Sequence, residues 1–186
     1  MRASYAMVRS SHEDRSTPGE LLLHPLAIVA LVVLVLNDHW WKEAFGNALT
    51  GKLSDFAGLA LFPLVLVGGW EWACRAAGRF VRPARWTIIA ASIATGAVFS
   101  AVKLSPAAAE MHRIVAGAMQ WPLRCVAAIA TGAELPERTR VALVLDASDL
   151  VALAALVFPL CIGLARIQRV HSMEQVFDRS RIRCVE

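Results

Sequence analysis

Charge is scarce over long stretches of this chain, and that scarcity excludes an ordinary soluble domain. Leu21–Leu36 and Trp86–Val102 hold no charged residue, while Val141–Ala165 holds only Asp146 and Asp149. Hydrophobic residues make up 57% of the sequence, and its mean hydropathy is +0.53. Because so little polar surface is available to cover a soluble fold, the composition indicates an integral membrane protein.

The motifs of several enzyme and metal-binding classes are also missing. The four cysteines (Cys74, Cys125, Cys161 and Cys184) form no C-x-x-C pair, so neither a disulfide framework nor a zinc motif is supported. Thr50-Gly51-Lys52 lacks the upstream glycine of a P-loop, and no nucleophile elbow, zinc helix motif or dinucleotide fingerprint occurs. We therefore predict no cofactor, although a bound cation stays open.

The apolar segments predict an all-α fold, an integral membrane bundle of four transmembrane helices. About 20 helical residues cross a ~30 Å hydrocarbon core. The expected spans are about 21–37, 53–73, 86–104 and 141–166, within one transmembrane domain of residues 21–166. Five of the six tryptophans stand at segment ends, where indole rings prefer the headgroup level: Trp40, Trp41, Trp70, Trp72 and Trp86.

The stretch between the third and fourth spans, about 106–136, is predicted to be an interfacial helical segment. Its apolar residues are interrupted by Arg113, Pro122 and Arg124. A spanning helix here would bury Arg124 at a cost of about 2.5–3.5 kcal/mol near the membrane centre. An interfacial helix, or two helices broken at Trp121-Pro122, avoids that cost.

The distribution of Lys and Arg predicts that both termini are cytoplasmic. The amino tail holds three of them, the loop Cys74–Arg85 four and the carboxyl tail five, whereas the opposite side holds seven. By the positive-inside rule, residues 1–20 form a cytoplasmic polar tail and residues 167–186 a basic cytoplasmic tail. This bias accounts for the net charge of +4, so no nucleic-acid partner is expected.

Two apolar segments begin with the same dipeptide and share a later triplet. Ser54-Asp55 leads to Phe62-Pro63-Leu64, and Ser148-Asp149 leads to Phe158-Pro159-Leu160. The pattern is consistent with two hairpin repeats arranged in parallel. Ser and Asp are preferred helix N-caps, so Ser54-Asp55 is also explained as a cap at a membrane boundary. If the last helix begins at Val141, in contrast, Asp146 and Asp149 lie one to two turns inside it. Alternatively, Val141–Leu145 is a separate approach segment.

Topology predicts one outward polar site. With a single span between them, the second and fourth helices run in the same direction, so Asp55 and Asp149 emerge on the same face. Lys103 ends the third span there, and Asn37, Asp38 and His39 follow the first span. The predicted ligand-binding cluster comprises Asp38, His39, Lys52, Asp55, Lys103, Asp146 and Asp149. A cross-repeat ion pair between Lys52 and Asp146 is a further hypothesis.

The triplet Asn37-Asp38-His39 and the later block Thr50-Gly51-Lys52-Leu53-Ser54-Asp55-Phe56-Ala57-Gly58-Leu59 together resemble a family of small uncharacterised bacterial inner-membrane proteins. Those relatives pair a TGKLSDFAG-like block with a later Asp-x-x-Asp-Leu block, matched here by Asp146, Asp149 and Leu150. This chain has Ala147-Ser148 where the family has Pro-Thr. The layout is more distantly similar to VanZ-like proteins of the cell envelope. The resemblance implies a multi-pass protein of the bacterial inner membrane.

Three functions are compatible with these residues. The leading one is binding of a cation or a polar envelope ligand, such as a lipid headgroup, at the outward Asp/His/Lys site. The alternative is a membrane-embedded enzyme acting on a lipid-linked or periplasmic substrate, with Asp149 or Asp55 as general base and His39 as acid–base partner. The second alternative is a structural scaffold whose aspartates only cap helices. The lipid bilayer is the partner in all three.

Overall fold

Helices make up nearly all of the regular structure in the computed structural model of the chain, which describes residues 17–45, 48–79 and 84–183. No strand occurs in those ranges. Four of the helices are long and apolar enough to cross a membrane: Leu49–Ala76, Arg85–Leu104, Pro106–Thr131 and Ala147–Arg169. The expectation of an all-α fold is confirmed, and the four helices suggest a multi-pass membrane protein.

The first half of the chain forms a helical hairpin. A 3-10 turn, Glu20–Leu23, ends at His24, whose imidazole Nδ1 accepts a hydrogen bond from the backbone N–H of Leu26. Helix α1 follows over Pro25–Leu36, with proline in its first turn, where no N–H is needed. A π-helical turn, Asn37–Trp41, and a short helical turn, Lys42–Phe45, lead into helix α2, Ala48–Ala76.

The second half contains three further long helical elements. Helix α3 spans Arg85–Leu104, and helix α4 spans Pro106–Thr131, with Ser105 as its N-cap and Gly132 as its left-handed C-cap. After a segment without regular structure, a 3-10 helix covers Ala147–Leu156 and continues as helix α5, Val157–Arg183. Pro159 lies in the first turn of α5, the part of a helix that best tolerates a missing N–H.

The described chain divides into two compact units. Unit 1 comprises residues 1–95 and 152–186, and unit 2 comprises residues 96–151. The core of unit 1 lies where the amino-terminal turn, α1, α2, α3 and α5 meet, and it contains Leu21, Ala27, Leu64, Val67, Ile88 and Ile162. Gly163 of α5 lies directly against Ile88: a Cβ added there would stand 2.6 Å from Cγ1 of Ile88, so only glycine fits this approach.

Ser54-Asp55 does not cap its helix, and of the two alternatives for Val141–Leu145 the structure shows a separate, non-helical segment. Helix α2 begins at Ala48, so Ser54 and Asp55 lie about two turns inside it and are not its N-cap. The last helical element begins at Ala147, not at Val141, so Asp149 stands in its first turn. Residues 141–146 are not helical because their backbone bonds to α4 instead: the N–H of Val141 donates to the carbonyl of Arg113, and the carbonyl of Leu143 accepts from the Arg113 guanidinium.

The other three predicted segments each contain a helix in the structure. The predicted third span, 86–104, coincides with α3, and the predicted first span, 21–37, consists of the 3-10 turn and the shorter apolar helix Pro25–Trp41. The predicted segment 106–136 contains one continuous helix, unbroken at Trp121-Pro122. Most of the predicted amino-terminal tail and the arginines Arg2, Arg9, Arg15 and Arg82 lie outside the described residues.

Candidate functional site

The π-helical turn after α1 brings Asn37 against the beginning of α2. The Asn37 side chain is fully buried. Its Nδ2 donates to the backbone carbonyl of Thr50 at 2.7 Å and to Oγ of Ser54 at 2.7 Å. Ser54 Oγ in turn donates to Oδ1 of Asp38 at 2.6 Å. Single π turns in proteins often mark functional sites, and this one aims two successive polar side chains at a neighbouring helix.

The N–H and O–H donors of the Asn37 and Ser54 side chains are all used within this group. Asn37 uses both of its N–H donors, and the Ser54 hydroxyl gives its one proton to Asp38. Oδ1 of Asn37 is buried and has no hydrogen-bond partner among the described residues. Exchanging the amide oxygen and nitrogen does not remove the problem, since it would set two acceptors, Oδ1 and the Thr50 carbonyl, against each other. The group therefore suits a ligand that donates protons or carries positive charge.

The remaining predicted residues of unit 1 lie in the same part of the chain. Asp38 and His39 are exposed members of the π turn. Lys52 and Asp55 lie one turn apart on α2, both half-buried, and each makes a polar, ring or electrostatic contact.

Two members of this group, Asn37 and Ser54, were missed by sequence reasoning. Asn37 was expected on this face, but neither residue was included in the predicted cluster. For Ser54 a signal existed, because it follows Thr50 by four residues and therefore shares a face of α2 with it. For Asn37 the signal was its position at the end of the first apolar segment, directly before Asp38.

In unit 2 the structure joins two of the predicted residues directly. Nζ of Lys103, in the last turn of α3, lies 2.6 Å from Oδ2 of Asp149, and their side chains are only 7% and 11% exposed. The ammonium also lies 5.5 Å from the centre of the Phe99 ring. A carboxylate in the first helical turn and a cation in the last turn each match the helix dipole. This buried ion pair joins the end of α3 to the start of the 3-10 helix.

Asp146 has a different role from Asp149. Its Oδ1 accepts a hydrogen bond of 2.8 Å from the N–H of Ser148, and its carbonyl accepts from the N–H of Asp149. Asp146 therefore caps the last helical element, as a residue just outside a helix start commonly does. Of the predicted residues, Lys103 and Asp149 contact each other, Asp38 contacts Ser54, and Asp146 contacts Ser148. The convergence of all seven predicted residues at one site stays a prediction.

A third polar group, in unit 1, was not predicted. Nη1 of Arg166 on α5 lies 2.6 Å from Oε1 of Glu71 on α2, and both side chains are buried. Oε2 of Glu71 accepts from the N–H of Gly19, and Nη2 of Arg166 donates to the Thr17 carbonyl at 3.4 Å. Sequence reasoning treated Glu71 and Arg166 only as charges at span ends, although both stand at the same end of their spans. The pair fastens the amino-terminal turn to α2 and α5.

Residues 132–146, which we call the return segment, cover one face of α4 within unit 2. The indole N–H of Trp121 donates to the Pro136 carbonyl at 2.9 Å, and the Arg124 guanidinium donates to the Thr139 hydroxyl at 2.6 Å. At the other end of the same face, Arg140 pairs with Glu110. The arginines whose burial argued against a spanning helix thus have polar partners in the return segment.

Comparisons of the chain with protein-family models, with curated proteins and with solved structures gave no match. The resemblance based on the Thr50–Leu59 block stays an expectation. Among the described residues no group of three or more His, Cys, Asp and Glu side chains is arranged to hold a metal ion. The oxygen atoms around Asn37 are therefore the groups through which this site would contact a ligand.

Proposed function

We propose that this protein is a multi-pass inner-membrane protein whose outward polar site, around Asn37, Asp38, Thr50 and Ser54, binds a cation or a polar envelope ligand. The observation that carries the proposal is the buried Oδ1 of Asn37, which has no partner among the described residues. A buried acceptor left without a donor costs about 1–3 kcal/mol, so a bound donor or cation would relieve it.

The surroundings of Asn37 favour positive charge in the ligand. The Asp38 carboxylate and the Thr50 carbonyl add negative or partially negative oxygen atoms. With neutral oxygens and few carboxylates, such a group resembles the oxygen-rich sites that hard cations prefer. A primary ammonium on a lipid headgroup offers the same charge together with N–H donors.

The proposal includes the positions of the membrane spans and their orientation. We place spans at about 21–37, 53–73, 86–104 and 147–166, with both termini cytoplasmic, because this orientation keeps most of the Lys and Arg residues inside. Segment 106–136 is then interfacial, and the Asn37 site faces outward. A parallel arrangement of the two Ser-Asp hairpins accompanies this topology.

Thermal unfolding of the purified protein in detergent tests ligand binding. The probes are sodium, potassium, magnesium and calcium chlorides and ethanolamine hydrochloride, with choline chloride added to keep ionic strength constant. A ligand at 100 times its Kd stabilises the folded state by about 2.7 kcal/mol, so we expect a saturable rise in Tm with at least one probe. Asp38→Asn and Asn37→Leu should remove that rise.

Glu110→Gln is the matched control, since it also removes one carboxylate charge but lies on α4 in unit 2. It should keep the saturable rise. If no probe raises Tm in a way that depends on Asn37 and Asp38, the binding proposal is wrong for these ligand classes. The enzymatic alternative, with His39 and Asp55 or Asp149, stays a prediction, as does the scaffold alternative.

A further inference from the structure

Helix α4 has two opposite faces with different surroundings. One face, with Glu110, Arg113, Gly117, Trp121 and Arg124, lies under the return segment. At 100° per residue, the opposite face carries a stripe of exposed apolar side chains, which we call the α4 stripe. Its members are Met111, Val115, Met119, Leu123, Val126 and Ile129.

The return segment runs alongside α4 in the opposite direction. Pro136 lies at Trp121, the backbone of Thr139 at Gly117 and Val141 at Arg113. The two are therefore at the same depth relative to a membrane over most of their length. The return segment is not helical, and it carries exposed charges at Glu134, Glu137, Arg138 and Arg140. Irregular backbone and charges of this kind cannot face the hydrocarbon of a bilayer.

A helix that is apolar enough to cross a membrane precedes α4, and another follows the return segment. Helix α3 ends at Leu104, and only Ser105 separates it from α4. The Lys103–Asp149 pair holds that end of α3 to the start of Ala147–Arg169. The α4 stripe thus begins where a membrane helix ends, and the bilayer surface is continuous with it.

Resting on the outward orientation proposed above, we propose that α4 lies along the outer leaflet. The α4 stripe inserts at the boundary between headgroups and acyl chains, and the return segment faces water. The return segment takes over the role of the solvated polar face of an ordinary interfacial helix, because it supplies partners for the Arg113 and Arg124 guanidiniums. The partner of this surface is the lipid of the membrane in which the protein resides.

Depth measurement along the α4 stripe tests this placement. Met111→Cys, Met119→Cys and Ile129→Cys are made singly in a full chain whose four native cysteines are replaced by serine. Each is labelled with an environment-sensitive fluorophore in vesicles of phosphatidylethanolamine and phosphatidylglycerol. Quenching by lipids spin-labelled at known depths then gives the position of each label. Glu137→Cys and Arg138→Cys in the return segment are the matched controls.

We expect the three stripe labels at one shallow depth, about 5–10 Å below the headgroup level, and both control labels in water. A depth that changes steadily from Met111 to Ile129, by about 27 Å at 1.5 Å per residue, would show a spanning helix and overturn the proposal. Water exposure of all three stripe labels would also overturn it, as would energy transfer between copies showing that a second copy covers the stripe. The ligand titration of the Asn37 site is independent of these depths, so either proposal can fail alone.

Discussion

The two Ser-Asp pairs of the chain occupy different structural positions. In the first pair, Ser54 lies inside α2 and bonds across to Asn37 and Asp38 on the π turn. In the second pair, Asp149 lies in the first turn of a 3-10 helix and forms a buried ion pair with Lys103. Near the first pair, Oδ1 of Asn37 has no hydrogen-bond partner among the described residues, whereas Lys103 neutralises the aspartate of the second pair. The same dipeptide thus supports a candidate binding site in one region and a structural connection in the other.

What separates the two regions is the residue at which each helix begins. Helix α2 starts upstream of its Ser-Asp pair, so both side chains point sideways from a formed helix. The second pair follows a segment whose backbone bonds to α4, and Asp146 supplies the cap. Local sequence similarity therefore does not fix the role of either aspartate, because tertiary hydrogen bonds decide where each helix starts.

We expect the largest loss of stability from a substitution in the second region. Asp149→Leu leaves the Lys103 ammonium buried without its carboxylate, and we expect a loss of about 3–5 kcal/mol in the free energy of unfolding. The double variant Lys103→Met/Asp149→Leu removes both charges and should recover most of that loss. Chemical denaturation in detergent measures both. Equal losses in the single and double variants would contradict a mainly structural ion pair.

A smaller effect is expected from Asn37→Leu in the first region. The substitution removes the two hydrogen bonds to Thr50 and Ser54, but it also removes the unpaired Oδ1, so the two changes partly offset each other. We expect a loss of no more than about 1–2 kcal/mol in the free energy of unfolding without ligand. A loss as large as that of Asp149→Leu would show that the first region is also primarily structural.

Asp146→Ala tests the capping role in the second region. Loss of the bond from the Ser148 N–H to Oδ1 should cost about 0.5–2 kcal/mol in the free energy of unfolding. Asp146→Asn is the matched control, because asparagine caps helices about as well as aspartate while lacking the charge. If asparagine destabilises the protein as much as alanine does, the charge of Asp146 matters and capping alone does not describe its role.

The smallest effect is expected from Ser54→Ala. It removes one bond to Asn37 and one to Asp38, and hydrogen bonds between membrane helices average about 0.6 kcal/mol each. We expect a loss of about 1 kcal/mol in the free energy of unfolding, together with weaker ligand binding because Asp38 is no longer held. Unchanged ligand affinity in this variant would remove Ser54 from the site.

Parts of this structure follow from the sequence, and the reasons are physical. Helix α3 agrees with its predicted span because no charged residue lies between Arg85 and Lys103, near its two ends. The contact between Lys103 and Asp149 agrees with the prediction that these two residues lie on the same side of the membrane. The Arg166–Glu71 pair was missed because its partners are far apart in sequence. The π turn was missed because the residues Asn37–Trp41 carry no pattern that distinguishes them from an ordinary helix end.

Binding at the first Ser-Asp region is the central claim, and calorimetric titration tests it most directly. The wild-type protein and Asp38→Asn are titrated with the probe that raises Tm most. We predict a saturable heat in the wild type that is lost in Asp38→Asn and kept in Glu110→Gln. The same heat in Asp38→Asn as in the wild type would contradict the account, because the ligand would then bind elsewhere.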